Sequence, residues 1–201
     1  MDSTLEGQLR AAATAAGMTP DDRVVAGLGR YLDLLLLWNR RVNLTAVRDA
    51  AGIVLKHFVD SLAVVPHVPA AARTLIDVGS GGGFPGAVIA LARPDLRVAL
   101  VESIHKKTAF LEALRRELPL PNVTVHSKRI EDAGLRADVA VSRATWDLPE
   151  WLERGKTLVG PGGLVIGMEG ADQHALPPGA RRVPYPLGDS TRAIVLFHVE
   201  H

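Results

Sequence analysis

The stretch LIDVGSGGGFPG, Leu75 to Gly86, decides how the rest of this 201-residue chain reads. An apolar run ends at Asp77 and Val78 and enters a turn with four glycines among five residues, Gly79 to Gly83. Pro85 then stands where a helix would open. Glycines in such a turn let the backbone adopt positive φ and approach a ligand closely. In an open α/β sheet, ligands sit beyond the carboxyl ends of the strands, which is where this turn would lie.

The flanking sequence supplies that sheet. Apolar runs at 74–78, 97–102, 122–126, 138–142 and 163–168 predict strands, and helical stretches at 85–92, 104–118 and 147–159 fall between them. Near-continuous apolar strands alternating with helices imply a parallel sheet covered on both faces. The stretches 181–185 and 192–199 read as two strands joined without a helix, so an antiparallel pair closes an otherwise parallel sheet.

Before residue 70 the pattern is helical only. Ser3-x-x-Glu6 reads as a capping box and Gly17 as a helix stop. A second helix is expected to start at Thr19-Pro20, with Asp21 and Asp22 in its first turn. Val24, Leu28, Tyr31, Leu35, Trp38 and Val42 recur every three to four residues and form its apolar stripe. A third helix is expected after Asp49, burying Val54, Leu55, Phe58, Leu62 and Val65, and Pro66 and Pro69 break it. His57 and Asp60, three apart on that helix, read either as a pair fastening it to the sheet or as a contact to substrate or cofactor. The expected organisation is a helical N-terminal extension over 1–70 and an α/β core over 71–201.

Composition narrows the chemistry. There is no Cys, which excludes disulfides, thiolate zinc sites and cysteine nucleophiles, and no metal site is expected. The start MDSTLEGQLR is charged and lacks the apolar core of a signal peptide. The longest leucine run, Leu34 to Leu37, is far short of the roughly 20 residues that span a membrane. The expectation is a cytoplasmic protein. A net charge of +1 argues neither for nor against nucleic acid.

Two glycine spacings overlap in the turn. Gly79-x-Gly81-x-Gly83 is associated with S-adenosylmethionine, whereas Gly81-x-x-x-x-Gly86 admits a dinucleotide. Glu102, at the end of the run RVALVE, is placed to accept hydrogen bonds from a ribose diol, a feature both cofactors share. Three further features favour S-adenosylmethionine. Ile130 and Glu131 follow the third strand, where an apolar side chain and an acid could frame adenine. Gly160-Pro161-Gly162-Gly163 before LVIGM resembles the turn before strand five of class I methyltransferases. The terminal antiparallel pair resembles the strand inserted beside strand five in that same Rossmann-like fold.

The segments WNRRVNLTAVRD (38–49), KHFVDSL (56–62), IDVGSGGGFPG (76–86), SKRIED (127–132) and VSRA (141–144), in this order, resemble the bacterial 16S rRNA guanine-N7 methyltransferase family, RsmG/GidB-like. The resemblance implies a class I methyltransferase with a helical N-terminal extension. It further implies transfer of a methyl group from S-adenosylmethionine to guanine N7 in 16S rRNA, with the rRNA or the 30S subunit as partner. By matching position it puts cofactor contacts on Gly79, Phe84, Ile130, Glu131 and Arg143. One departure is Glu169-Gly170, where family members usually have Lys-Gly.

The residues agree with that chemistry. Guanine N7 carries a free lone pair, so attack needs no general base, and Arg143 stands as a candidate for orientation rather than proton transfer. Absence of Cys excludes the covalent route to carbon five of pyrimidines. An RNA substrate needs phosphate contacts and a base splayed from its stack. Candidates for these are Arg40, Arg41, Arg48, Lys106, Lys107, Lys128, Arg129 and, for stacking, Trp146. Arg115 and Arg116, late in a helix, read as solvent-facing partners of its dipole.

Overall fold

The structure, a computed structural model, describes residues 1–143, 145–170 and 174–200. Seven strands form one sheet in the order β3-β2-β1-β4-β5-β7-β6. They are β1 (Thr74–Val78), β2 (Arg97–Glu102), β3 (Val123–Ser127), β4 (Ala137–Arg143), β5 (Val159–Glu169), β6 (Ala180–Leu187) and β7 (Ser190–His198). The first five pair in parallel, while β7 runs antiparallel to both β5 and β6 and lies between them. The expected parallel sheet with a terminal antiparallel pair is present. β5 begins earlier than expected, because Val159 already pairs with Ala137, and the register shifts between there and the Val139–Leu164 pair. The helix expected over 147–159 ends at Lys156, since Val159 is already paired with Ala137.

Alternation along each strand sorts the core into two layers. Leu75, Val98, Leu100, Val139, Val141, Leu164 and Ile166 face one cluster, and Ile76, Val101, Ala140 and Val165 face the other. The first layer carries α5 (Gly86–Ala92), α6 (His105–Glu117) and the N-terminal helices, α1 (Ser3–Ala15) and α2 (Asp22–Asn39). The second carries α7 (Leu148–Lys156), whose Trp151 is buried against β5. Covering of this second face is partial: Ala99 and His126 remain half-buried and Thr124 exposed beside a groove of about 260 Å³.

Local chemistry explains the helix ends. Asp2, not Ser3, caps α1 by accepting from the Leu5 N–H at 2.8 Å. Asp21 caps α2 by accepting from the Val24 N–H at 2.7 Å, two residues beyond the expected Thr19. Asp49 caps the third helical segment through the Gly52 N–H at 2.7 Å. That segment is not a uniform helix: α3 (Ala50–Ile53) and α4 (Asp60–Leu62) are joined by a π turn, Val54–Val59. The wider turn breaks the 3.6-residue phase, so Val54, Phe58 and Leu62 are buried while Leu55 and Val65 are only half-buried.

The first 70 residues share a continuous core with the sheet. Leu9, Leu28, Leu35 and Phe58 belong to the same cluster as Phe84, Phe110 and Val141. Tyr31 is its centre, tilted on Phe58 at 5.2 Å and stacked on Phe84 at 5.3 Å. Trp38, on the same stripe, is half-buried and meets Phe110 edge-on at 5.7 Å. Among the described residues no helix is long and apolar enough to cross a membrane.

Candidate active site

The glycine turn forms the floor of a cleft at the carboxyl ends of β1, β2 and β4. Ser80 holds the turn in place: its N–H donates to the Val101 carbonyl at 3.1 Å, and its hydroxyl to the Asp77 carbonyl at 3.0 Å. Gly79 adopts φ +73°, and a Cβ there would overlap the Thr145 side chain. Glycine is therefore required at this position by both backbone and space. Gly81 adopts φ +56°. Gly83, also at positive φ, does not line the cleft; a Cβ would run into the Tyr31 hydroxyl, Ala87 and Leu114. Its glycine is required by packing of α2 on the turn.

Glu102 closes the far side. It is buried, 6 % exposed, and its carboxylate accepts from the Gly81 N–H at 3.0 Å and the Ile104 N–H at 2.9 Å. It thus ties the turn after β1 to the turn after β2. Asp77 is buried beneath the turn and outside the cleft. One of its oxygens accepts from the Gly86 N–H at 3.0 Å, and the other has no partner among the described residues. Burial pushes the carboxyl up to about 7 against the lowering effect of the Gly86 bond.

The cleft has a volume of about 630 Å³, within the roughly 300–1,000 Å³ of small-molecule sites. Gly79, Gly81, Phe84, Glu102, Ile130, Glu131 and Arg143 all line it, as do Lys107, Lys128, Arg129 and Trp146. Arg40, Arg41, Arg48 and Lys106 do not. Arg40 and Arg41 are exposed where α2 ends. Arg48 is spent on its own loop, donating to the Asn39 carbonyl at 2.8 Å and the Asn43 side chain at 3.2 Å. Lys106 and Lys107 diverge because neighbours on a helix point about 100° apart. Glu131 pairs with Arg154 at 3.1 Å, and that guanidinium also lies 5.2 Å over Trp146.

Leu44 and Thr45, which the sequence did not single out, complete the wall together with His57. Asn39 is buried and organises the 40–48 loop, accepting from the N–H groups of Leu44 and Thr45 at 2.9 and 3.1 Å. This brings Leu44 and Thr45 to the cleft. Thr45 shares a 2.6 Å hydrogen bond with His57 Nε2, and the His57 ring stacks on Phe84 at 4.7 Å. Burial, reinforced by Arg143, pushes the imidazole down to about 4, so His57 is neutral at pH 7. The expected His57–Asp60 pair does not form: the π turn points His57 toward Thr45 and leaves Asp60 to other partners. Asparagine at 39 within WNRRVNLT was the only local signal for this wall.

A second cavity of about 250 Å³ adjoins the first, and Arg143 and Trp146 line both. Trp146 stacks on Trp151 at 5.8 Å, and Gly167 lies against Leu148 and Trp151 with no room for a Cβ. Glu169 sits at its edge, almost wholly buried. Burial alone would raise its carboxyl, but bonds from Arg182 at 2.6 Å and the His174 N–H at 2.7 Å hold it below its usual value. The acid that stands where the resemblance leads one to expect Lys therefore has its charge compensated within the fold.

Donors and shape fit S-adenosylmethionine. The glycine turn, the buried Glu102 carboxylate beside it and the apolar Ile104 and Ile130 line one cleft, a set of backbone, acceptor and apolar surfaces that suits its amino-acid, ribose and adenine parts. Sheet order and the glycine turn at the end of β1 give this chain the fold of the class I methyltransferases. The O-methyltransferase TomG of Streptomyces achromogenes, solved in complex with SAM, superposes with a TM-score of 0.61 over 100 % of both chains at 15 % identity. The Bacillus cereus O-methyltransferase in complex with SAH gives 0.61 over 97 % of this chain and 100 % of that chain at 17 % identity. These likenesses establish the fold. The chain itself belongs to the family described as rRNA small subunit methyltransferase G (GidB), which its residues 25–176 match. Its relatives include the ribosomal RNA small subunit methyltransferase G of Burkholderia pseudomallei strain 1106a, 40 % identical over 96 % of this chain and 90 % of that one. That of Burkholderia mallei strain NCTC 10229 is likewise 40 % identical, over 96 % and 91 %.

Proposed function

We propose that this protein transfers a methyl group from S-adenosylmethionine to N7 of a guanine in 16S rRNA of the small ribosomal subunit. The observation that carries this reading is the pair of adjoining cavities sharing Arg143 and Trp146, in a chain of this family. When bound, S-adenosylmethionine supplies an electrophilic methyl group on its sulfonium. Glu102 orients the ribose, and Gly79 and Gly81 admit the backbone to close contact. The acceptor base enters through the second cavity, where the stacked Trp146 and Trp151 offer an aromatic wall. Lys107, Lys128, Arg129 and Arg154 stand round the mouth and take RNA phosphates.

Guanine N7 attacks with a lone pair that carries no proton, so the residues need only hold nucleophile and methyl carbon close and in line. His57, a weak base with its imidazole pushed down to about 4 and its Nε2 bonded to Thr45, and a Glu102 engaged with backbone amides agree with a site that needs no general base. The test is incubation of tritiated S-adenosylmethionine with 30S subunits and, in parallel, naked 16S rRNA, both from cells lacking the modification. Scission at 7-methylguanine then locates the label. Label at one guanine is the expected result. Cofactor binding with no label in either acceptor would send the activity to another substrate.

A further inference from the structure

Asp60 has a fully enclosed side chain close to the cleft, yet it does not line the cleft. A buried carboxylate is costly unless paired and hydrogen-bonded. Three partners meet it from three strands. Arg143 of β4 donates from Nη1 at 3.1 Å, the Tyr185 hydroxyl of β6 donates at 2.6 Å, and Arg192 of β7 approaches at 3.4 Å. Fastening the extension to the sheet would require any one of these. The arrangement at Arg143 is more specific. The same Nη1 also donates to the Lys56 carbonyl at 3.1 Å, so one nitrogen is fixed by both ends of the Lys56–Asp60 segment. Among the described residues, Nε and Nη2 have no hydrogen-bond partner. The guanidinium carbon is 5.1 Å from the Phe84 ring centre, with the group lining the same cleft as Gly79, Gly81 and Glu102.

We infer that Asp60 is a positioning residue for the cofactor: through Nη1 it locks the Arg143 guanidinium over Phe84, leaving its remaining donors to the bound S-adenosylmethionine. The inference rests on the reading of this cleft as the S-adenosylmethionine site. The π turn is what makes the lock, since it sets a main-chain carbonyl and a carboxylate on one nitrogen while turning His57 elsewhere. Without the carboxylate, Arg143 and Arg192 would face each other with no counter-charge between them.

The test is a double-mutant cycle on the full chain, using D60N, R143K and the double variant. S-adenosylmethionine affinity is measured by calorimetry and thermal stability in parallel. Each single change is expected to weaken binding by about tenfold, and the double variant to be no weaker than R143K, the non-additivity of residues acting as one unit. Tyr185→Phe removes a neutral bond from the same carboxylate and keeps its charge. It should lower Tm while leaving affinity within roughly threefold. Losses that multiply in the double variant, or a D60N affinity that merely tracks Tm as Tyr185→Phe does, would overturn the inference. Should D60N not fold, Asp60→Glu, which keeps the charge one methylene further out, enters the same cycle with the same criteria. A wild type that binds no S-adenosylmethionine would instead overturn the cofactor assignment, and this inference with it.

Discussion

Glu102 carries two tasks on one carboxylate. It accepts two backbone N–H groups that shape the turns on either side of the cleft, and it faces the cleft itself. Glu102→Ala should therefore weaken S-adenosylmethionine binding by roughly 1.5–3 kcal/mol, the range for hydrogen bonds to a charged group, or about 10- to 150-fold in Kd. Isothermal calorimetry reads this directly, and unchanged affinity would remove Glu102 from the site. Its position was legible because a strand end is a local feature: an apolar run stops and an acid follows. Thr45, Thr145 and Arg154 were not legible as wall residues for the opposite reason. They reach the cleft from different elements, and nothing in their own neighbourhoods signals that convergence. Gly83 shows the converse. Its spacing reads as part of a cofactor loop, while its surroundings are Tyr31, Ala87 and Leu114.

At the scale of elements, the strand, turn and helix of residues 74–92 act as one unit because Asp77 joins them. Its carboxyl sits beneath the glycine turn and accepts from the first N–H of α5. With its pKa raised to about 7 by burial, the folded state holds a proton that the unfolded chain, near 4, has released. Stability from this group is complete below pH 4 and is lost as pH rises through 7. Asp77→Asn removes the titration, so its Tm relative to wild type should climb between pH 5 and pH 8 and then level off. A difference independent of pH, in scanning calorimetry at matched ionic strength, would contradict the raised pKa. Strand positions were read within a few residues, since alternating burial and β-branched runs are local. The π turn was not, because Val54 to Leu62 carries an apolar pattern that an ordinary helix also satisfies. Its wider turn is stabilised by what packs on it, including Arg143 on the Lys56 carbonyl.

At the scale of the molecule, the helical extension is part of the core that holds the site. Phe58 is fully enclosed among Tyr31, Phe84 and their neighbours, and Tyr31 bonds the Gly82 carbonyl of the cofactor turn. Phe58→Ala should cost about 3–5 kcal/mol by lost burial and the cavity left behind. Urea denaturation followed by both tryptophan fluorescence and far-UV circular dichroism should show the transitions shift together. Separate transitions for extension and sheet would show two independent cores instead of one. The charge pattern also resolves at this scale. A net charge of +1 says nothing about RNA, but folding gathers Lys107, Lys128, Arg129, Arg143 and Arg154 around one opening.

The sheet with its terminal antiparallel pair, the glycine turn at the end of β1, the acid at the end of β2 and the family resemblance could all be read along the chain. All of these are written in local periodicity, strand ends and short motifs. Folding in three dimensions was needed to show which basic residues stand at the cleft, that Gly83 serves packing, that Asp77 caps α5, and that Asp60 reaches Arg143, Tyr185 and Arg192 instead of His57. The physical reason is distance along the chain. A buried carboxylate must find its counter-charges wherever the fold brings them, here 83, 125 and 132 residues away, and no local pattern records that meeting.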